Sequence, residues 1–390
     1  MVLMQIDLPI PRKLVRAEHY RLLGQIAKPS TSLREQRAAL ALALDDFATA
    51  KADITAIAPD SRSPGASLLL ARACLKMGEA QEGENCLALL DTAVLKPRLR
   101  CAVMIEQAAV LRALARPEEA TILLESVLAE DPANSAALRK LAAILFDLGK
   151  PDEALRICEA LRNRGIVTTR LLGTQATALA ALGRRGEAEA VRGSSAFFSS
   201  EQLEDVDALN SEVIEELRSH PALRFGNSAQ ASRDSWRVDE LRLREQPAIT
   251  RLLQEIAHHA AGFAASLKPS DHPWFTSRPD RVRMNAWAII APAGGCETWH
   301  THDGGWLSGV YYLAVPGGMS KGPDDPAGAI EFGWTERLLD AATHASLPSH
   351  LVHPEPGMLL MFPSHIHHRT FPHMCSEDRI CIAFDMVPEG

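Results

Sequence analysis

The sequence predicts an α+β multidomain chain, with an all-α helical-repeat segment first and a β-rich domain after it. Three observations point there. In the first half, apolar residues recur at three- and four-residue steps, as in Leu138, Leu141, Ala142, Leu145 and Leu148, which is the helical period. Short phrases in the same half return at a fixed interval. From Arg281 the texture changes to short β-rich runs separated by Gly, Pro, Asp and Ser.

The interval is 34 residues. Ala115, Gly149 and Gly183 keep it, and so do Ala120, Ala154 and Ala188. They stand in the phrases Leu114-Ala-Arg-Pro-Glu-Glu-Ala, Leu148-Gly-Lys-Pro-Asp-Glu-Ala and Leu182-Gly-Arg-Arg-Gly-Glu-Ala, and Gly78-Glu79-Ala80 suggests an earlier, less regular unit. This period resembles the tetratricopeptide repeat, with its aromatic positions mostly filled by Leu or Ile. The resemblance implies helix pairs stacked into a solenoid whose surface holds a protein or peptide. The small turn residue is expected to let two helices approach closely. The alanine further on is expected to pack into the neighbouring helix.

Gly193-Ser194-Ser195 and Ser199-Ser200 break the pattern and predict a boundary. The expected domains are 1–196, helical repeats, and 197–390, with a β core over about 281–390. Helices are expected over 201–218 and 247–267. A loop is expected over Phe225–Arg237, and another at the domain mouth over 269–279. Expected strands are Val282–Ile290, Leu307–Val315, Ala329–Phe332, Met358–Phe362 and Arg379–Val387, in a sandwich or jelly roll.

The 390 residues carry a formal net charge of −8, which argues against nucleic acid or an anionic membrane as the main partner. No apolar run reaches the length of a membrane span, and no secretory signal is evident. Seven scattered cysteines without a CxxC argue against structural zinc or a disulfide frame, and a cytoplasmic setting is expected.

Ten of the 14 histidines lie after residue 270, and their spacing is informative. His300 and His302, two apart at a strand end, put both imidazoles on one face. A third ligand from a distant strand would complete one face of an octahedron and leave positions open. His368 is the expected third ligand, with His365 and His367 as competitors. His344, His350, His353 and His373 are expected in solvated loops. Arg379 opens a strand on which Cys381 and Ala383 share its face, leaving room for a ligand carboxylate to take two parallel hydrogen bonds. Glu377 or Asp385 could pair with Arg379 instead.

These phrases continue through Trp306-Leu-Ser-Gly-Val-Tyr-Tyr312, Gly328-Ala-Ile-Glu-Phe332, Pro356-Gly-Met-Leu-Leu-Met-Phe-Pro-Ser364 and Glu377-Asp-Arg379-Ile-Cys-Ile-Ala-Phe384. Together they resemble the Fe(II)- and 2-oxoglutarate-dependent oxygenases, most closely the subfamily fused to tetratricopeptide repeats. The resemblance implies a double-stranded β-helix (jelly roll) with supporting helices. It also implies Fe(II) on a His-x-Asp/Glu…His triad, and an arginine for the far carboxylate of 2-oxoglutarate. By position, His300, His302 and His368 hold the metal and Arg379 the co-substrate. His302 stands where the family has its carboxylate, so Asp303 is the alternative ligand. Tyr311, Tyr312, Asn285 and Trp287 are expected around the pocket, with Tyr312 and Asn285 contacting the co-substrate. The expected activity is a dioxygenase that consumes 2-oxoglutarate and dioxygen and hydroxylates a protein or peptide recruited by the repeats. The alternatives are a non-catalytic scaffold that binds a metal or small acid, and a three-histidine dioxygenase that does not use 2-oxoglutarate.

Overall fold

Local capping chemistry sets the helix ends. Ser30, Asp46, Ser63, Asn134 and Thr168 each accept a bond from the backbone N–H three residues on, satisfying a donor that the first helical turn leaves unpaired. The computed structural model describes residues 4–9, 12–226, 231–239, 241, 246–319, 322, 325–336 and 339–389. Two compact units form, one over 12–150 and the other over 1–11 with 151–390.

In the first unit, Thr31–Ala43 packs on Phe47–Thr55, Pro64–Lys76 on Ala80–Ala88, and Pro97–Ala113 on Pro117–Glu130. In the second, Thr169–Ala181 packs on Arg185–Arg192. The periodic turn residues are left-handed, with φ of 80° at Gly78, 58° at Ala115, 68° at Gly149 and 72° at Gly183. Asp45, at φ 62°, is a further turn of this kind without the sequence signature. The residue after each turn reaches back into the helix, as Lys150 N–H does to the Leu145 carbonyl at 2.8 Å, closing a Schellman cap. A Cβ on Gly78, Gly149 or Gly183 would meet nothing within 4 Å. The small residue therefore serves backbone conformation, and the expected close helix approach is not its reason. Ala120, Ala154 and Ala188 are buried as expected.

The strands are β1 (Gln5–Asp7), β2 (Ser199–Gln202), β3 (Arg224–Gly226), β4 (Ser232–Arg233), β5 (Ser235–Val238), β6 (Arg281–Ala291), β7 (Cys296–Glu297), β8 (Leu307–Ala314), β9 (Ile330–Gly333), β10 (His350–Val352), β11 (Met358–Pro363), β12 (His367–Thr370) and β13 (Arg379–Pro388). The major sheet runs β2-β11-β8-β13-β6-β5-β3, with β1 parallel to β6. A smaller antiparallel sheet runs β10-β9-β12, and β4 pairs with β7. Ile289, Val310, Leu360 and Cys381 of the major sheet form one core with Ile330 and Phe332 of the smaller. This is the arrangement of a jelly roll.

All five strands expected from the sequence are present. Three other expectations change. Residues 199–202 form an edge strand on β11, and the helix begins only at Asp207. The stretch 235–238 is a strand on β6 rather than a crossing loop, with Ser235 and Arg237 buried and Trp236 exposed in strand alternation. In the stretch 269–279, Trp274 is buried and stacks on Trp306 at 4.6 Å between ring centroids, so this segment plugs the core.

The compact units divide at 150/151, whereas the Gly/Ser break in the helical pattern puts the boundary at 196/197. Helix Thr169–Ala181 lies on the β-domain, where the Thr169 hydroxyl donates to the Gly305 carbonyl and Arg170 pairs with Asp303. A Gly/Ser break registers where the helical pattern stops, whereas a unit is defined by what packs together. Among the described residues, no helix is long and apolar enough to cross a membrane.

Candidate metal centre and acid-binding cavity

Antiparallel pairing brings the histidines together. The loop before β8 forms an isolated bridge between His300 and His368, with His300 N–H donating to the His368 carbonyl at 3.0 Å and His368 N–H returning the bond at 3.1 Å. His302 is tied in by its own N–H, which donates to the Ser364 carbonyl at 3.0 Å. One ligand atom from each of His300, His302 and His368 lies within 4.8 Å of the others, a set that could hold a metal ion.

Hydrogen bonding decides which nitrogen faces inward. His300 Nδ1 lies 2.7 Å from the Thr298 carbonyl, His368 Nδ1 3.0 Å from the Ile366 carbonyl, and His302 Nδ1 2.9 Å from Asp385 Oδ1. All three partners are acceptors, so each Nδ1 carries the proton and donates. Each Nε2 then presents a lone pair. His302 Nε2 and His368 Nε2 stand 3.1 Å apart, two lone pairs facing each other. A cation between them removes that conflict. With metal–nitrogen bonds of about 2.1 Å, adjacent octahedral ligands lie about 3 Å apart. The donor set fits Fe(II).

Burial keeps the His300 and His368 rings neutral and available. It pushes His300 down to about 3, with His302 as the next contributor. It holds His368 well below the ordinary range, assisted by His300 and His302. Trp287 stacks on His302 at 5.5 Å.

A cavity of about 490 Å³, mouth included, opens onto the three histidines, and its wall also carries Tyr312, Thr370, Arg379, Cys381 and Glu297. Arg379 is 1% exposed. Its Nη1 donates to the Gly328 carbonyl at 2.8 Å and its Nη2 to the Thr370 hydroxyl at 3.0 Å. Among the described residues, three buried polar atoms in this wall have no hydrogen-bond partner: Arg379 Nε, the Tyr312 hydroxyl and Glu297 Oε1. Burial raises the Tyr312 phenol above its ordinary range, so it stays a donor. Arg379 Nε and the Tyr312 hydroxyl are donors suited to an acid.

The other expected residues divide. Tyr311, on the opposite face of β8, donates to Asn210 Oδ1 at 2.9 Å in the core. Trp287 lines the cavity, whereas Asn285 is exposed and does not, because it lies two residues beyond Trp287 toward the open end of β6. Asp303 is outside the ligand group, and its carboxylate pairs with Arg170. His365 is buried beside the Arg192 carbonyl at 3.1 Å, and His367 lies on the opposite face of β12 from His368. His373, expected in solvent, is fully buried with Nε2 3.0 Å from the Ala291 carbonyl, because its loop folds back over the end of β6. Asp385 pairs with His302 rather than Arg379.

Sequence reading missed Asp385 and Glu297 as site residues. Asp385 was accessible, since the face holding Arg379, Cys381 and Ala383 continues to it by strand alternation. Nothing in the sequence marks Glu297, a 7% exposed residue on a two-residue strand whose carboxyl burial pushes up, against the pull of Ser232, Arg237 and Arg379.

Comparisons with known proteins agree with these features. A family model described as "Putative 2OG-Fe(II) oxygenase" matches residues 285–385, and a tetratricopeptide-repeat model matches 111–165. No curated protein matches the chain. Among solved structures, a Pseudomonas putida prolyl-4-hydroxylase is 18% identical at a TM-score of 0.35, covering 50% of this chain and 94% of its own. A Parabacteroides merdae tetratricopeptide repeat protein is 14% identical at a TM-score of 0.37, covering 46% of this chain and 71% of its own. A Trichoplax adhaerens prolyl hydroxylase, solved with a hypoxia inducible factor peptide fragment, is 11% identical at 0.34, covering 55% and 90%. These scores are too low to add weight of their own. The two matched segments coincide with repeat helices and with the part of the jelly roll that carries the histidines.

Proposed function

We propose that the protein is an Fe(II)- and 2-oxoglutarate-dependent dioxygenase that hydroxylates a protein or peptide. One observation carries the reading: three Nε2 lone pairs converge at a cavity whose wall also presents Arg379 Nε and the Tyr312 hydroxyl. His300, His302 and His368 would hold the iron. Arg379 and Tyr312 would hold the far carboxylate of 2-oxoglutarate. Iron with this co-substrate and dioxygen supplies the oxidising power for C–H hydroxylation when bound.

The chain's own part is positioning and the exclusion of water. Thr370 and the Gly328 carbonyl fix the guanidinium, so its remaining N–H groups are pre-aimed. Apolar Ile289, Val310, Ile330 and Phe362 dry the cavity and strengthen the ion pair with the acid. His302 takes the place of the family's carboxylate, and Arg170 occupies Asp303. The helical repeats support recruitment of a protein substrate, and the seven unpaired cysteines support a reducing, cytoplasmic setting.

The test is succinate formation from 2-oxoglutarate by Fe(II)-loaded protein exposed to oxygen. The expected pattern is loss with His300→Ala, His302→Ala and Arg379→Ala, and retention with Asp303→Ala. Retention in His302→Ala with loss in Asp303→Ala would replace the three-histidine set by a carboxylate triad. Oxygen uptake independent of 2-oxoglutarate would overturn the co-substrate assignment. Iron and 2-oxoglutarate bound without turnover would point to a binding module.

A further inference from the structure

Behind the candidate metal ligand His302 lies a built polar chain. Asp385 Oδ1 accepts from His302 Nδ1–H at 2.9 Å and from the Ser308 hydroxyl at 2.6 Å. Ser308 Oγ lies 2.7 Å from Ser364 Oγ, and both serines are fully buried. The side chains of His302 and Asp385 are 10% and 13% exposed.

Each link has a structural cause. Ser308 and Asp385 are directly paired across β8 and β13. Ser364 follows β11, which pairs with β8 on its other side, and its carbonyl holds the His302 backbone. A Cβ on Gly305 would lie 2.5 Å from Ser364 Oγ and 3.3 Å from the Asp385 Cβ, so the loop must carry glycine to lie this close. Three strands and the loop thus converge on one carboxylate.

His300 and His368 are oriented differently. Their Nδ1 donors meet the neutral carbonyls of Thr298 and Ile366. Only His302 is backed by a carboxylate, and His302 is the residue standing where the family's own carboxylate would be. A carboxylate accepting from the far nitrogen of a ligating imidazole fixes its tautomer and raises its basicity.

We propose that Asp385 is a positioning residue of the metal centre, turning His302 Nε2 toward the other two histidines and supplying from behind the imidazole the negative charge that a carboxylate ligand would bring. The inference rests on the metal reading of the three histidines given above. One strand then serves both ends of the cavity, with Arg379 for the co-substrate acid and Asp385, six residues on along the same face, for the metal.

The test uses Co(II) as the probe, titrated into the full chain and read by its visible absorption bands and by competition with a chelator. Asp385→Asn keeps an acceptor oxygen of the same shape and removes the charge. It is expected to weaken Co(II) binding by about 10- to 100-fold and to shift the bands, with the metal-free melting temperature close to wild type. Asp385→Ala, which also loses the acceptor, is expected to bind no more tightly than Asp385→Asn. Co(II) binding by Asp385→Asn equal to wild type, with unshifted bands, would overturn the inference while leaving the metal reading intact. Failure of wild type to bind Co(II) would overturn the metal reading itself. Should the variants fail to fold, Zn(II)-loaded wild-type protein with 15N-labelled histidine decides the matter. A downfield, slowly exchanging His302 Nδ1–H is expected, and its absence would overturn the orientation.

Discussion

Replacing Arg379 should separate ligand binding from folding more sharply than any other single change. The guanidinium is 1% exposed, and the Gly328 carbonyl and Thr370 hydroxyl hold two of its nitrogens. Its Nε has no partner among the described residues, and Arg379 lies in the cavity wall. A carboxylate seated there forms a buried ion pair with charge-assisted hydrogen bonds. Truncating one partner of such a pair costs about 2–5 kcal/mol. At about 1.4 kcal/mol per tenfold, Arg379→Leu should raise the dissociation constant for 2-oxoglutarate roughly 30-fold to several-thousand-fold. Arg379→Lys keeps the charge and loses the planar fork, so its loss should be smaller, about 10- to 100-fold. The assay is anaerobic calorimetric titration of 2-oxoglutarate into metal-loaded protein, with a thermal melt of each variant as a check on folding. Binding by Arg379→Leu within about threefold of wild type would refute the placement of the acid at this residue.

Three further outcomes concern folding. A Cβ on Gly309 would lie 2.3 Å from the Phe384 ring and 2.5 Å from the Leu360 carbonyl, so Gly309→Ala should destabilise by about 1–3 kcal/mol, seen as a lower melting temperature. Asp53, 2% exposed, takes the Arg37 Nε bond at 2.6 Å, and Asp53→Ala should cost about 3 kcal/mol in chemical denaturation. That is the low end for a broken buried pair, because the Arg37 side chain keeps 19% exposure. Burial pushes His365 down to about 3 and also lowers His272, whose ring stacks on it at 6.2 Å. The folded state favours the neutral ring of each, so their contribution is fully present above pH 6.5 and is lost as pH falls below it, for His365 down to about 3. His365 should cost about 1.4 kcal/mol per pH unit in that window. In metal-free protein, His365→Gln should flatten the fall in stability by about one proton, and an unchanged slope would contradict the assignment.

The helical repeats were legible because their signal is local. A left-handed turn residue and a buried alanine recur at fixed offsets, and each is decided by its own few neighbours. Even so, the turn at Asp45 escaped, since an aspartate there leaves no glycine to read. The five strands with clear alternation were also legible. The short ones were not: β2, β5, β7 and β12 have two to four residues and exist through pairing with distant partners. The spacing of His300, His302 and His368 anticipated that they come together, and strand alternation put Arg379 on the face of Cys381 and Ala383. Asn285 could not be excluded, because alternation assigns a face and not a depth along it.

The sequence alone determined the order of helical repeats and β-domain, the residue types of the histidine cluster and the strand face shared by Arg379, Cys381 and Ala383. These depend on residue chemistry and on periods of 3.6 and 2, which any stretch of chain carries with it. Only the tertiary structure decided that Asp303 pairs with Arg170 while His302 joins His300 and His368 in a group that could hold a metal ion, backed by Asp385. Two adjacent residues of a loop differ by a turn of the backbone. Which of them faces inward depends on partners 133 and 83 positions away (303 − 170; 385 − 302), and only folding brings those together.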